Sequence, residues 1–202
     1  MELRKRKKLV YGVGINDADY HVYEYREVEG KRKIIWRCPY YNTWYSMLTR
    51  CYSEKYHVRK PTYKDCTICG EWIYFSKFRS WMETQDWKGK QLDKDLLKVG
   101  NKVYCPEWCI FVDGKINNFV NDHGNKRGEY IIGVSWHKPS SRFITNCGNP
   151  FTGKKEYLGS FTDELEAHLA WKSRKHELSC MLADSEYCTD PRLAEALRTR
   201  YL

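Results

Sequence analysis

Residues 92–118 constrain this chain more than any other stretch. They run Leu92-Asp93-Lys94-Asp95, then Tyr104-Cys105-Pro106-Glu107-Trp108-Cys109, then Asn117-Asn118. Two carboxylates, a Cys-Pro turn and a carboxamide thus follow one another closely. Val103-Tyr104 and Ile110-Phe111-Val112 read as short strand segments, and a helix starting near Asp113 would present Asn117 back toward them. Short strands beside helices predict an α+β chain.

The flanking sequence supplies the helices. Trp44, Met47, Leu48 and Cys51 form one apolar stripe at helical spacing. Trp72, Phe75, Phe78, Trp81 and Met82 form a second. A third helix is expected from Thr162 to Leu182, with Leu165, Leu169, Leu178 and Leu182 inward and Thr162 as its cap. A last one starts at Asp190-Pro191 and carries Leu193, Leu197 and Tyr201. Strand character marks Val10–Glu27 and Lys33–Trp36, with turns at Asn16–Asp19 and Glu29-Gly30. The Gly-rich, basic run His123–Gly128 is the best domain boundary.

Charge narrows the partners. The chain has 202 residues, with 35 Lys+Arg against 26 Asp+Glu, a formal charge of +9 that favours an anionic partner. No apolar run approaches membrane-spanning length, and the basic start, Arg4 to Lys8, lacks the apolar stretch of a secretion signal. A cytoplasmic protein is expected. Nine cysteines cannot all pair within one chain, so thiols or metal ligands are expected.

Residues 92–118 resemble the HNH (ββα-metal) nucleases, and more closely HNH-like proteins of bacteriophages. The likeness extends through Arg50-Cys51-Tyr52, Pro61-Thr62-Tyr63, Glu71-Trp72, Leu92-Asp93-Lys94-Asp95 and Tyr104-Cys105-Pro106-Glu107. It implies a metal-dependent DNA endonuclease of nicking or homing type, acting in the bacterial host cell. Mg²⁺ or Mn²⁺ would be held by Asp93 and Asn117 and would neutralise charge on the scissile phosphate. The chain departs from the family where it counts. Lys94 stands where the general-base His belongs, and Trp108 stands near the place of the Asn that orients it. Lysine is almost wholly protonated at neutral pH, so it suits phosphate contact better than base catalysis. Asp95 is the nearest alternative base and His123 a distant one. The bland reading makes Asp93 and Asp95 turn residues and Asn117 a cap.

Cys66-Thr67-Ile68-Cys69 is half of a zinc knuckle, and Cys105 with Cys109 would complete a four-thiolate structural Zn²⁺ site. Small buried thiols in an aromatic core explain the same residues.

Ile131–Trp136, Arg142–Thr145 and Glu156–Phe161 read as three strands before the long helix. The Gly133-Val134 start, Leu158-Gly159-Ser160-Phe161 and Thr162-Asp163-Glu164 resemble the AP2 DNA-binding domain, which implies a three-stranded sheet laid in the major groove of double-stranded DNA. Trp136, His137, Lys138, Arg142, Thr145, Asn146, Lys154 and Lys155 would lie on or beside its exposed face.

The expected architecture is an HNH-like ββα-metal core with flanking helices, then a small three-stranded sheet plus helix. The expected divisions are 1–38 (basic tail and N-terminal strands), 39–123 (HNH-like), 128–185 (AP2-like) and 186–202 (C-terminal helix). Two rivals to a nuclease are a catalytically inactive DNA-binding protein and a phage protein that binds a host protein.

Overall fold

The computed structural model describes residues 9–121 and 129–202 and is a mixed α+β chain with small sheets. It divides into two compact units, 1–88 with 92–111 and 89–91 with 112–202. The expected boundary at His123–Gly128 and the basic tail lie outside the described residues.

The first unit is built on aromatic packing. Strands β1 (Tyr23–Val28) and β2 (Lys31–Arg37) form an antiparallel hairpin. Glu29 and Gly30, at its turn, both have positive φ, the conformation a two-residue hairpin loop needs. The expected strand over Tyr11–Ile15 is instead a tight turn in which Val10 and Gly14 exchange backbone bonds. Helix α1 (Pro39–Tyr52) buries Tyr41, Trp44, Met47, Leu48 and Cys51, the face its periodicity predicts. Helix α2 (Glu54–Arg59) follows directly, capped by the Ser53 side chain. Strand β3 (Thr67–Ile68) runs parallel to β5 (Val103–Tyr104). Helix α3 (Phe75–Glu83) buries Phe75, Phe78 and Met82. The rings interlock: Trp72 meets Trp81 at 4.5 Å and Phe78 edge-on at 5.0 Å, and the Trp44 indole donates to the Trp72 carbonyl.

Strand β4 (Gln91–Asp93) pairs with β6 (Ile110–Val112), and α4 (Gly114–Val120) follows β6 at once. Asp113 caps α4 by accepting from the Lys115 N–H. Val103-Tyr104, expected as a strand segment beside Ile110–Val112, pairs with β3 instead.

The second unit carries an antiparallel sheet of β7 (Val134–His137), β8 (Arg142–Gly148) and β9 (Lys155–Phe161), in that spatial order. Helix α5 (Glu164–Ala183) covers one face and α6 (Pro191–Thr199) packs on α5 through Leu193 and Leu197. Asp163, not Thr162, caps α5. The expected inward stripe is also corrected. Leu165 and Leu169 are more than half exposed, and Ala167, Trp171, Lys175, Leu178, Ser179 and Leu182 are the buried positions.

Candidate nucleic-acid interface and carboxylate site

Register fixes what each face of the three-stranded sheet displays. Trp136 pairs with Phe143 and Phe143 with Phe161, on the same face as Val134, Thr145 and Gly159. This is the helix side, because Thr145 and Cys147 are fully buried and Glu156 bonds Arg174 of α5 at 2.7 Å. A bulge at Thr145/Asn146 restores the alternation beyond it. The other face therefore displays Ser135, His137, Arg142, Ile144, Asn146, Lys155, Tyr157 and Ser160, by the period-2 rule.

One of the expected contacts, Thr145, changes sides. Thr145 does not reach the open face: it is completely buried and donates to the Gly133 carbonyl at 2.6 Å. Trp136 shares the face of Phe143 by register and packs edge-on against it at 4.8 Å, yet it remains exposed. His137, Arg142, Asn146 and Lys155 lie on the open face as expected, and Lys138 and Lys154 are exposed in the flanking turns. Ser135, Tyr157 and Ser160 were missed, although strand alternation counted from Phe143 finds them.

The open face is preorganised. Arg142 donates from Nε to the Ser160 hydroxyl at 3.0 Å and from Nη2 to the Ser160 carbonyl at 3.1 Å. Tyr157 is 63% exposed, enough to leave a broad ring surface free for stacking. Asn149 orders the β8–β9 turn by accepting from Phe151 and Thr152 and donating to Glu156. The single carboxylate within β7–β9, Glu156, points to the helix side, where Arg174 and Asn149 hold it below the usual carboxylate range. Among the described residues of the three strands, the open face carries cations and no acid.

The acidic segment is tied differently. Asp93 Oδ1 accepts from the backbone of Asp95 at 2.9 Å and Leu96 at 2.7 Å, an Asx turn ending β4. Burial, and then the charge of Asp95, push the Asp93 carboxyl above its ordinary value. Lys94 contradicts its expected role against phosphate. Its side chain is 8% exposed, and its ammonium donates to the Asn101 carbonyl at 2.8 Å and to Asp95 at 3.0 Å. Asp95 is thereby engaged as well, though half exposed. Asn101, flagged only by the Gly100-Asn101 turn pair, is the hub that sequence reasoning missed. Its amide donates to the carbonyls of Lys94 and Val103. Arg50, from α1, reaches the Leu92 carbonyl. His123 lies outside the described residues.

Asp93 falls in the first unit and Asn117 in the second. Asn117, on α4, donates its amide to the Gln91 side chain. The Lys98 ammonium sits 4.7 Å from the Trp108 ring.

The cysteines are partly gathered. The β3–β5 ladder continues through a bond from Cys69 N–H to the Tyr104 carbonyl, which lays the Cys66–Cys69 loop beside the strand leading into Cys105. Cys109 donates its backbone N–H to Cys105. Burial raises the Cys66 and Cys69 thiols. Among the described residues, no three His, Cys, Asp or Glu side chains are grouped to hold a metal ion. No described helix is long and apolar enough to cross a membrane.

Comparison with known proteins returns no matching family model, curated protein or solved structure.

Proposed function

We propose that this protein binds double-stranded DNA through the open face of β7–β9. One observation carries the reading: the face shows His137, Arg142 and Lys155, with Lys138 and Lys154 beside it, while the one strand carboxylate is turned away and paired. A sheet of three strands backed by a helix fits the major groove as the AP2 resemblance implies. Arg142, already braced by Ser160, is the side chain best placed to read a base edge. Loss of its contact costs about 1–3 kcal/mol for cognate DNA. Fluorescence anisotropy over a range of salt tests this. Arg142→Ala should weaken binding and narrow the gap between preferred and random duplexes. Equal binding by wild type and variant would remove the sheet from the interface.

A second reading, an HNH-like DNA endonuclease, is favoured by the Asp93 carboxyl, which burial and then the neighbouring Asp95 charge push above its ordinary value. The Asp93 carboxylate is a hard oxygen ligand suited to a divalent cation, which when bound would neutralise charge on the phosphate under attack. In this reading Asp95 holds the proton of the attacking water and Lys94 keeps Asp95 in place. Supercoiled plasmid with Mg²⁺ or Mn²⁺ should be nicked, and Asp93→Ala should leave it intact. Wild-type protein that binds plasmid without nicking it in either metal would retire this reading and leave the first.

A further inference from the structure

The β1–β2 ribbon contributes no fully buried residue to its unit. Only Tyr23, Val28 and Arg37 are even partly buried along it; the other residues of both strands are exposed. Tyr25, Ile34, Ile35 and Trp36 are each 42–48% exposed, a large apolar area for a free surface. Its base is fixed. Tyr23 packs edge-on against Tyr41 at 5.3 Å, Arg37 donates to Asn42, and the ladder extends through Cys38 N–H to the Val22 carbonyl. Beyond that base, a lone two-stranded hairpin is marginally stable in water, so the ribbon is built to meet something.

Register separates its two faces. On one, charges are compensated: Glu27 lies opposite Arg32, Arg32 sits 4.0 Å over the Tyr25 ring, and Arg37 lies over Tyr23. On the other, Arg26 stands directly opposite Lys33, with Lys31 beside them opposite Val28 and Trp36 nearer the base opposite Glu24. Like charges directly across a strand pair are destabilising. Among the described residues, the only ion pair to that trio is a loose one, Lys33 to Glu29 at 3.7 Å. An anion lying between Arg26 and Lys33 removes the repulsion.

We propose that the β1–β2 ribbon is a second DNA contact, an arm whose Arg26–Lys31–Lys33 face lies on duplex phosphates. A two-stranded ribbon fits a major groove, and six to seven residues give an arm of about 20 Å. This rests on the DNA-binding reading of the β7–β9 sheet, but on different residues.

The test uses the full chain and a fluorescent duplex. Binding is measured against salt for wild type, the Arg26→Gln/Lys33→Gln double variant and Arg142→Ala, with circular dichroism confirming that each is folded. Two lost phosphate contacts should lower the slope of log affinity against log salt by about 1.8, at roughly 0.9 per contact. Glu24→Lys should steepen it. If the double variant keeps the wild-type slope while Arg142→Ala weakens binding, the arm is overturned and the sheet stands. If the slope falls with the double variant but Arg142→Ala changes nothing, the arm stands and the sheet reading fails. If wild type binds no DNA, both fail, and a protein partner becomes the occupant of the ribbon.

Discussion

Lys94 shows how burial reassigns a residue. A lysine beside two aspartates invites a phosphate-binding role, but its ammonium is spent on the Asn101 carbonyl and Asp95. Lys94→Met should therefore act on stability, because it leaves a part-buried carbonyl without its donor at a cost of about 1–3 kcal/mol. Urea denaturation should show that loss, while the salt slope of DNA binding stays unchanged. A slope lower by about one with normal stability would return Lys94 to the phosphate. Gly133 is as tightly specified. It has a φ of +86°, and a β-carbon there would come within 2.2 Å of the Trp171 ring. Gly133→Ala combines positive-φ strain with overpacking and should destabilise by roughly 2–5 kcal/mol, read as a lower denaturation midpoint.

At the scale of elements, the sheet and α5 are joined by a clamp that responds to acid. Arg174 bonds Glu156 through Nε and Nη2, and Asn149 adds a third bond to the same carboxylate. The Glu156 carboxyl is held below its ordinary value, so its contribution is complete above its unfolded pKa, about 4.3, and disappears as pH falls through the folded value. Glu156→Gln should lower the melting temperature more at pH 7 than at pH 3. Equal losses at both pH values would mean that the pair contributes through packing alone. These elements also show what sequence can reveal. The faces of α1 and α3, the β1–β2 turn and the Asp190 cap were legible because each is written in spacing or turn chemistry within a few residues. The face of α5 was not. Its leucines suggested one stripe, but the sheet selects Ala167, Trp171 and Lys175, with the Lys175 ammonium 3.7 Å from the Phe119 ring. Thr145 and Lys94 failed for the same reason: long-range packing decides whether a polar side chain faces water.

For the whole molecule, of charge +9, the endonuclease proposal can be tested at Asp93 by a readout that does not depend on cutting. Its carboxyl is raised by burial and by Asp95. A raised acid contributes stability that is complete below its unfolded pKa, about 3.9, and is lost as pH rises through the folded value. Without divalent cations, ionised Asp93 therefore costs the fold stability at neutral pH. Asp93→Asn keeps an oxygen for the Asp95 and Leu96 N–H groups, so it should melt higher than wild type at pH 7 and alike below about pH 3. A bound divalent cation reverses the order. A cation at 100 times its Kd stabilises by about 2.7 kcal/mol, and the Asn variant, short of one charge, should gain much less. Melting curves of both proteins with and without Mg²⁺ or Mn²⁺ decide the matter. Crossing of the two melting temperatures supports a cation held at Asp93 and with it the endonuclease reading. If wild type stays below Asp93→Asn at saturating metal, Asp93 holds no cation, and the endonuclease reading fails while the DNA-binding proposal is untouched.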